Sequence, residues 1–238
     1  MNTIKIDKKN CLMIAHRGVS GLERENTCPA FVAAGVKTYF GIETDVHVTK
    51  DKHFIICHDD NIQRVTGVDM VIEESTFDDI RKHPILETDG TLRSDLIFPT
   101  LEDYIRICKK YDKIAVLELK CYIQEEDIVS IVEVVKSLGW FEHTIFISFW
   151  KENLIAVRKH YADATLQFLT SQANDETLEF LLQYRLDLDI QFCPLTAEYV
   201  AKMHQNGIKV NCWTPDHPED AKRLIEMGVD MITSNILE

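Results

Sequence analysis

The sequence predicts an α/β fold, a single-domain (β/α)8 TIM barrel with a small insertion after the second strand. Three observations carry this. Apolar runs of strand length alternate with helix-period stretches eight times along the chain. The length, 238 residues with 45% hydrophobic content, suits one domain with one sizeable core. Several of the apolar runs also end in ionisable residues, and in such barrels reactive groups collect at the C-terminal ends of the strands.

The first strand, residues 12–15, is Leu-Met-Ile-Ala and stops abruptly at His16-Arg17-Gly18. A buried strand rarely ends in an imidazole and a guanidinium without a use for them, because both are costly to desolvate. A polar loop from Val19 to Asn26 leads to a helix capped by Thr27, with Pro29 in its first turn and Ala30 to Val36 as its body. The second strand, residues 41–48, puts Ile42, Thr44, Val46 and Val48 on one face and Glu43, Asp45 and His47 on the other. A turn at residues 49–52 folds it back into an apolar run, residues 53–57, that ends in His58-Asp59-Asp60. Beyond it the pattern is irregular from Asn61 to Phe98, and residues 59–98 are expected to be an insertion within one domain of residues 1–238.

Thr100 with Asp103 three positions on predicts a capping box opening the next helix. Ile114 to Lys120 is a strand, and a helix from Glu125 to Leu138 stops at Gly139. Further strands are expected at 144–149, 164–169, 186–191, 208–213 and 229–233, with Gly207 and Gly228 where helices should terminate.

Composition narrows the function. A net charge of −13 without any Lys/Arg cluster argues against nucleic acid or an anionic membrane surface as main partner. Seven cysteines without a Cys-x-x-Cys pair read as reduced thiols, and with no leader-like start the protein is expected to be cytoplasmic. No apolar stretch reaches the roughly 18 residues of a membrane span, so stable membrane insertion is not expected. A homo-oligomer is compatible with all of this.

The strand ends carry the chemistry. Glu43 and Asp45 are two apart and share a face, as do Glu118 and Lys120. Glu118 interrupts an apolar strand, where a lone carboxylate is unfavourable unless it binds a metal or pairs with a cation such as Lys120 or Arg17. Three carboxylates converging on one rim suggest one hard divalent cation, Mg²⁺ or Ca²⁺. His16 and His58 suit proton transfer, one accepting and the other donating. Arg17 and Lys120 suit an anionic substrate such as a phosphate. Together these groups describe phosphodiester cleavage. Trp213 and Phe149, both at strand ends, serve either as an apolar wall for the substrate or simply as barrel aromatics. His47, beyond Asp45 on its strand, is expected at the rim, and Gln167 and Gln191 either bind substrate or have polar structural roles.

His16-Arg17-Gly18, Glu25-Asn26-Thr27 with Ala30-Phe31, Glu43-Thr44-Asp45-Val46, Thr49-Lys50-Asp51, His58-Asp59, Leu117-Glu118-Leu119-Lys120 and Trp213-Thr214 together resemble the ordered signature of the glycerophosphodiester phosphodiesterase family. The resemblance runs from residue 12 to residue 214. It implies a barrel related to the phosphatidylinositol-specific phospholipases C, with an insertion after the second strand. It also implies His16 and His58 as the acid–base pair, Glu43, Asp45 and Glu118 as metal ligands, and Arg17 and Lys120 as phosphate holders. The reaction implied splits a glycerophosphodiester, a small-molecule substrate, into glycerol 3-phosphate and an alcohol. Four departures stand out: Arg24 where Pro is usual, Asn61 for a common Leu, Val65 for a Thr, and Thr233-Ser234-Asn235 where Thr-Asp is usual. They bear on substrate preference more than on the metal or acid–base positions. Two other readings keep the same residues: a phosphodiesterase of lysophospholipids or cyclic phosphodiesters, and a barrel that binds a ligand without catalysis.

Overall fold

A computed structural model describes residues 2–238. Its strands are β1 (Leu12–Ala15), β2 (Gly41–Val48), β3 (Phe54–Ile56), β4 (Ile114–Leu119), β5 (Thr144–Ser148), β6 (Thr165–Thr170), β7 (Asp187–Gln191), β8 (Val210–Trp213) and β9 (Met231–Ser234). The nine strands form one sheet, and β1 pairs with both β2 and β9, which closes it. All the neighbouring pairs are parallel except β2 with β3. The result is an eight-stranded parallel barrel with β3 attached outside it as the return arm of a hairpin. This is the (β/α)8 barrel that the alternation of elements predicts.

Between the strands run α1 (Cys28–Gly35), α2 (Gln63–Thr66), α3 (Phe77–Arg81), α4 (Leu101–Lys110), α5 (Glu125–Ser137), α6 (Lys151–His160), α7 (Asp175–Tyr184), α8 (Ala197–Gln205) and α9 (Pro218–Met227). The caps follow the sequence. The Thr27 side chain accepts from the Ala30 amide, and Thr100 and Asp103 form the reciprocal capping box. Several strands begin one to two residues later than their apolar runs. Leu186, Ile208 and Val229 each donate their amide back to the preceding helix, to Leu181, Met203 and Leu224, so they finish a helix end before the strand ladder starts.

Period-two alternation sorts the strand residues into two cores. Outward-facing Met13, Ile42, Val46, Leu117, Phe146, Leu188 and Ile232 pack against the helices. Inward-facing Ile14, Val116, Ile145, Ile147, Leu169 and Met231 fill the lumen. A third apolar cluster, including Ile55, Ile62, Ile72, Ile80, Leu96 and Phe98, lies under the segment between β3 and α4 and joins α2 and α3 to the hairpin. Among the described residues no helix is long and apolar enough to cross a membrane, and all seven cysteines are free.

Candidate active site

The lumen is apolar only part of the way up. Toward the C-terminal ends of the strands the inward positions become Glu43 and Asp45 on β2, Glu118 on β4 and Asp189 on β7, every one of them buried. Register explains why three of these meet. Asp45 pairs with Glu118 across β2 and β4, and Glu43 lies two residues below Asp45 on the same face. Carboxylate oxygens of Glu43, Asp45 and Glu118 all lie within 4.8 Å of one another.

Two cations sit among these carboxylates. Lys120 Nζ is 3.2 Å from Asp45 Oδ1 and 3.1 Å from Glu118 Oε1. The Arg17 amide donates to Glu43 Oε2 at 2.8 Å, and its Nε is 3.8 Å from Asp45 Oδ2. Arg17 is held in turn by Glu25, at 2.8 Å, and Glu25 is shared with Arg64. Arg17 takes a left-handed backbone with φ +52°, and the next residue, Gly18, has φ +74°. A Cβ at Gly18 would stand 2.7 Å from the backbone of Ala30, so only glycine lets this turn rest on α1.

The electrostatics follow from burial and these partners. Burial alone would raise Asp45, but the charges of Lys120 and Arg17 hold its carboxyl far below the usual range. Glu43 is pushed well up by burial and by its two carboxylate neighbours. Glu118 rises to about 8 through burial and the charge of Asp45, despite Lys120. Two of three clustered carboxyls are thus unfavourable as anions in the absence of a cation. Asp45 Oδ1, moreover, is buried, with the Lys120 ammonium 3.2 Å away. An all-oxygen donor set with this spacing suits a hard divalent cation, whose ligands sit at about 2.0–2.6 Å.

His16 leaves β1 and places Nε2 3.9 Å from Glu43 Oε2. Its Nδ1 meets Asn235 Oδ1 at 2.7 Å, and Asn235 Nδ2 donates to Asp216 Oδ2 at 2.6 Å. Burial and the adjacent Arg17 charge hold His16 down at about 4. His58 reaches the site on the hairpin: the Cys57 amide bonds the Asp45 carbonyl, which sets the next residue beside the cluster. His58 Nδ1 is 2.6 Å from Asp59 Oδ1, and Asp59 is held by Arg64. Burial lowers the pKa of His58.

His16, Arg17, Glu43, Asp45, His58, Glu118, Lys120, Phe149 and Trp213, the candidate site residues of the sequence, meet at this rim. A cavity of about 260 Å³ is lined by His16, Arg17, Glu43, His58, Glu118, Lys120, Phe149 and Trp213, with Asp45 directly beneath its two cations. Phe149 and Trp213 meet edge to face at 5.7 Å and form one wall. A larger cavity of about 520 Å³ opens around Leu12, Lys209 and Asp230, at the opposite end of the barrel and far from these groups.

His47, beyond Asp45 on β2, is fully buried, with Cys121 Sγ 3.9 Å from its Nδ1. Of the two roles open to Gln167 the structure favours the structural one: it is fully buried in the lumen against Asn211 and does not line the cavity. Four residues carried no role in the sequence reading. Asn26 donates to Asp45 at 2.8 Å and accepts from Thr44. Glu25 orients Arg17, Asn235 orients His16, and Asp189 faces the cavity from β7. Glu25 and Asn26 belong to a recognisable motif and Asn235 to a segment that departs from the family pattern, whereas Asp189 has no signal of its own.

Comparisons with known proteins give the family. The model of the glycerophosphoryl diester phosphodiesterase family matches residues 16–238. A glycerophosphodiester phosphodiesterase of Caldanaerobacter subterraneus subsp. tengcongensis is 29% identical over 94% of this chain and 93% of its own. One from Bacillus subtilis is 26% identical over 94% of this chain and 83% of its own. An Oleispira antarctica phosphodiesterase, solved in complex with the product sn-glycerol-3-phosphate, superimposes with a TM-score of 0.87 at 26% identity, covering 98% of this chain and 96% of that one. With a match that runs from His16 to the last residue, the chain belongs to the glycerophosphoryl diester phosphodiesterase family, a family of phosphoric diester hydrolases.

Proposed function

We propose that this rim hydrolyses glycerophosphodiesters to sn-glycerol 3-phosphate and an alcohol, with His16 and His58 as the proton-transfer pair. The observation that carries the reading is the meeting of two imidazoles, two cations and three carboxylates in one cavity. Glu43, Asp45 and Glu118 hold one divalent cation, Mg²⁺ or Ca²⁺. Such an ion, when bound, supplies Lewis-acid polarisation of the phosphoryl oxygens.

The side chains divide the remaining work. Arg17 and Lys120 bind the phosphate, and Arg17 Nε is a buried donor without a hydrogen-bond partner, which suits that role. Asn235 is turned by Asp216 so that its carbonyl oxygen faces His16; it therefore accepts from Nδ1–H and leaves Nε2 as a lone pair. Buried and lying beside Arg17, His16 is suited to be neutral and to take the proton of the attacking oxygen, from water or from the substrate's own glycerol hydroxyl. His58 is the acid of the pair and delivers a proton from Nε2 to the leaving alcohol oxygen; the Asp59 carboxylate on its Nδ1 works against the lowering that burial imposes. Phe149 and Trp213 wall the organic part of the substrate.

The direct test is a coupled assay for glycerol 3-phosphate with glycerophosphocholine and glycerophosphoethanolamine. Release by the metal-loaded protein is expected. Binding of the diester without release would favour a ligand-binding barrel instead.

A second reading, action on lysophospholipids, has one observation in its favour. Tyr122, Phe149 and Trp150 are each nearly half exposed, and Phe149 lies at the mouth of the cavity. Faster turnover of lysophosphatidylcholine than of glycerophosphocholine would select it.

A further inference from the structure

Across the barrel from the carboxylate cluster lies a polar group that the proposed mechanism does not use. The strands follow one another around the barrel as β1, β2, β4, β5, β6, β7, β8 and β9, so β7 stands diametrically opposite β2. Asp189 is the inward residue near the upper end of β7, between Leu169 of β6 and Asn211 of β8 in the ladder. Its flanking residues Leu188 and Ile190 face the helices and are fully buried. Asp189 is itself only 2% exposed, yet it opens onto the active-site cavity. Its Oδ1 has no hydrogen-bond partner.

A buried carboxyl needs a reason to exist. Asp189 forms no ion pair and is outside the metal-ligand cluster, and its only polar neighbour of consequence is the Asn211 amide. Burial raises its pKa to about 8, so near neutrality it is chiefly the uncharged acid, with one O–H to donate and one oxygen to accept. A second orphan borders the same space. Trp213 Nε1 is buried without an acceptor, and Trp213 lies two residues beyond Asn211 on β8, hence on the same inward face. One wall of the cavity therefore offers an unpaired carboxyl and an unpaired N–H donor, while the opposite wall holds the groups suited to phosphate.

We propose that Asp189 and Trp213 Nε1 form a hydroxyl-reading subsite that recognises the glycerol diol of the substrate and sets the preference for glycerol over alcohols lacking those hydroxyls. The subsite rests on the glycerophosphodiester reading above. A diol has two donors and several acceptor lone pairs, which matches a neutral carboxyl beside an N–H. An alkyl chain of the same length leaves both protein groups unpaired, and a site built around such groups rejects the analogue strongly.

The test is binding of glycerol 3-phosphate against n-propyl phosphate by calorimetry, with the metal-loaded protein. Both ligands carry the same phosphate, so contacts of Arg17, Lys120 and the cation cancel in the ratio of Kd values. The wild type is expected to prefer glycerol 3-phosphate by tenfold or more. Asp189→Leu should bring the ratio close to one, and Asp189→Asn, which keeps a neutral donor and acceptor, should retain most of it. Trp213→Phe, which keeps a ring but loses the N–H, should reduce it severalfold and gives an independent reading if the leucine variant fails to fold. An unchanged ratio in a folded Asp189→Leu protein, or no preference in the wild type, overturns the subsite. The diesterase reading fails separately: the wild type would then discriminate between the two phosphates yet release no glycerol 3-phosphate from glycerophosphocholine.

Discussion

His16 and Asn235 stand 219 residues apart in the chain, and their side chains meet at 2.7 Å, Nδ1 to Oδ1. The contact joins the end of β1 to the end of β9, adjacent strands in the barrel, and the Asp216 carboxylate holds the amide in place at 2.6 Å. The tautomer of His16 thus depends on a residue from the far end of the sequence. Asn235→Ala should lower kcat by about tenfold to a hundredfold, a fraction of the 10²–10⁴ that a positioned proton-transfer group contributes, with little change in metal affinity. Kinetics alongside a metal titration would check this, and an unaltered kcat would show that the contact does not position the ring.

Removing either histidine separates the two proton transfers. His16→Ala and His58→Ala should each lose about 10²–10⁴ in rate on glycerophosphocholine while keeping their melting temperature. On a nitrophenyl ester, whose leaving group needs no protonation, His58→Ala should recover most of its rate and His16→Ala should not. Recovery in His16→Ala alone would reverse the roles, and equal recovery would remove the assignment.

The crowded carboxylates make metal binding and stability interdependent. Chelation should abolish turnover and Mg²⁺ or Ca²⁺ restore it, and either ion should raise the melting temperature. Because Glu43 and Glu118 are held above the ordinary carboxylate range, the ion must displace protons, and its stabilisation should be larger at pH 8 than at pH 6. Glu118→Gln should weaken that response without unfolding the barrel. Full activity in excess chelator, with no metal found by elemental analysis, would exclude the requirement.

Acid stability should report on Glu25. Burial alone would raise its pKa, but hydrogen bonds from Arg64 and the charge of Arg17 bring it to about 2, against an ordinary 4.5. A carboxyl lowered on folding stabilises the native state fully above its unfolded value, and that contribution disappears as the pH falls through the folded one. Glu25→Gln should therefore melt below the wild type at pH 7, with the gap closing between about pH 4.5 and 2. Melting curves at several pH values would show this, and a gap independent of pH would mean that Glu25 contributes through shape alone.

Much of this was written locally in the chain. Apolar runs alternating with helix-period segments specified eight repeats, and a closed barrel is a fold that buries eight such strands on both faces. Thr27, Thr100 and Asp103 marked helix starts because capping is chemistry within four residues. Glu43, Asp45, Glu118 and Lys120 were legible because two-residue spacing puts side chains on one face of a strand, and charge on an apolar strand demands an explanation. Barrel closure decided what no local pattern contains. Spacing along β2 puts His47 at the rim, and the tertiary fold buries it there against Cys121. Asn235 partners His16 only because β9 closes onto β1. Asp189 reads in sequence as one polar residue of an alternating strand, and it brings a carboxyl oxygen without a partner to face the charged cluster because β7 lands opposite β2. Spacing along a strand fixes which face a side chain takes, but what it faces there is set by strands distant in the chain, and so by the packing of the whole barrel.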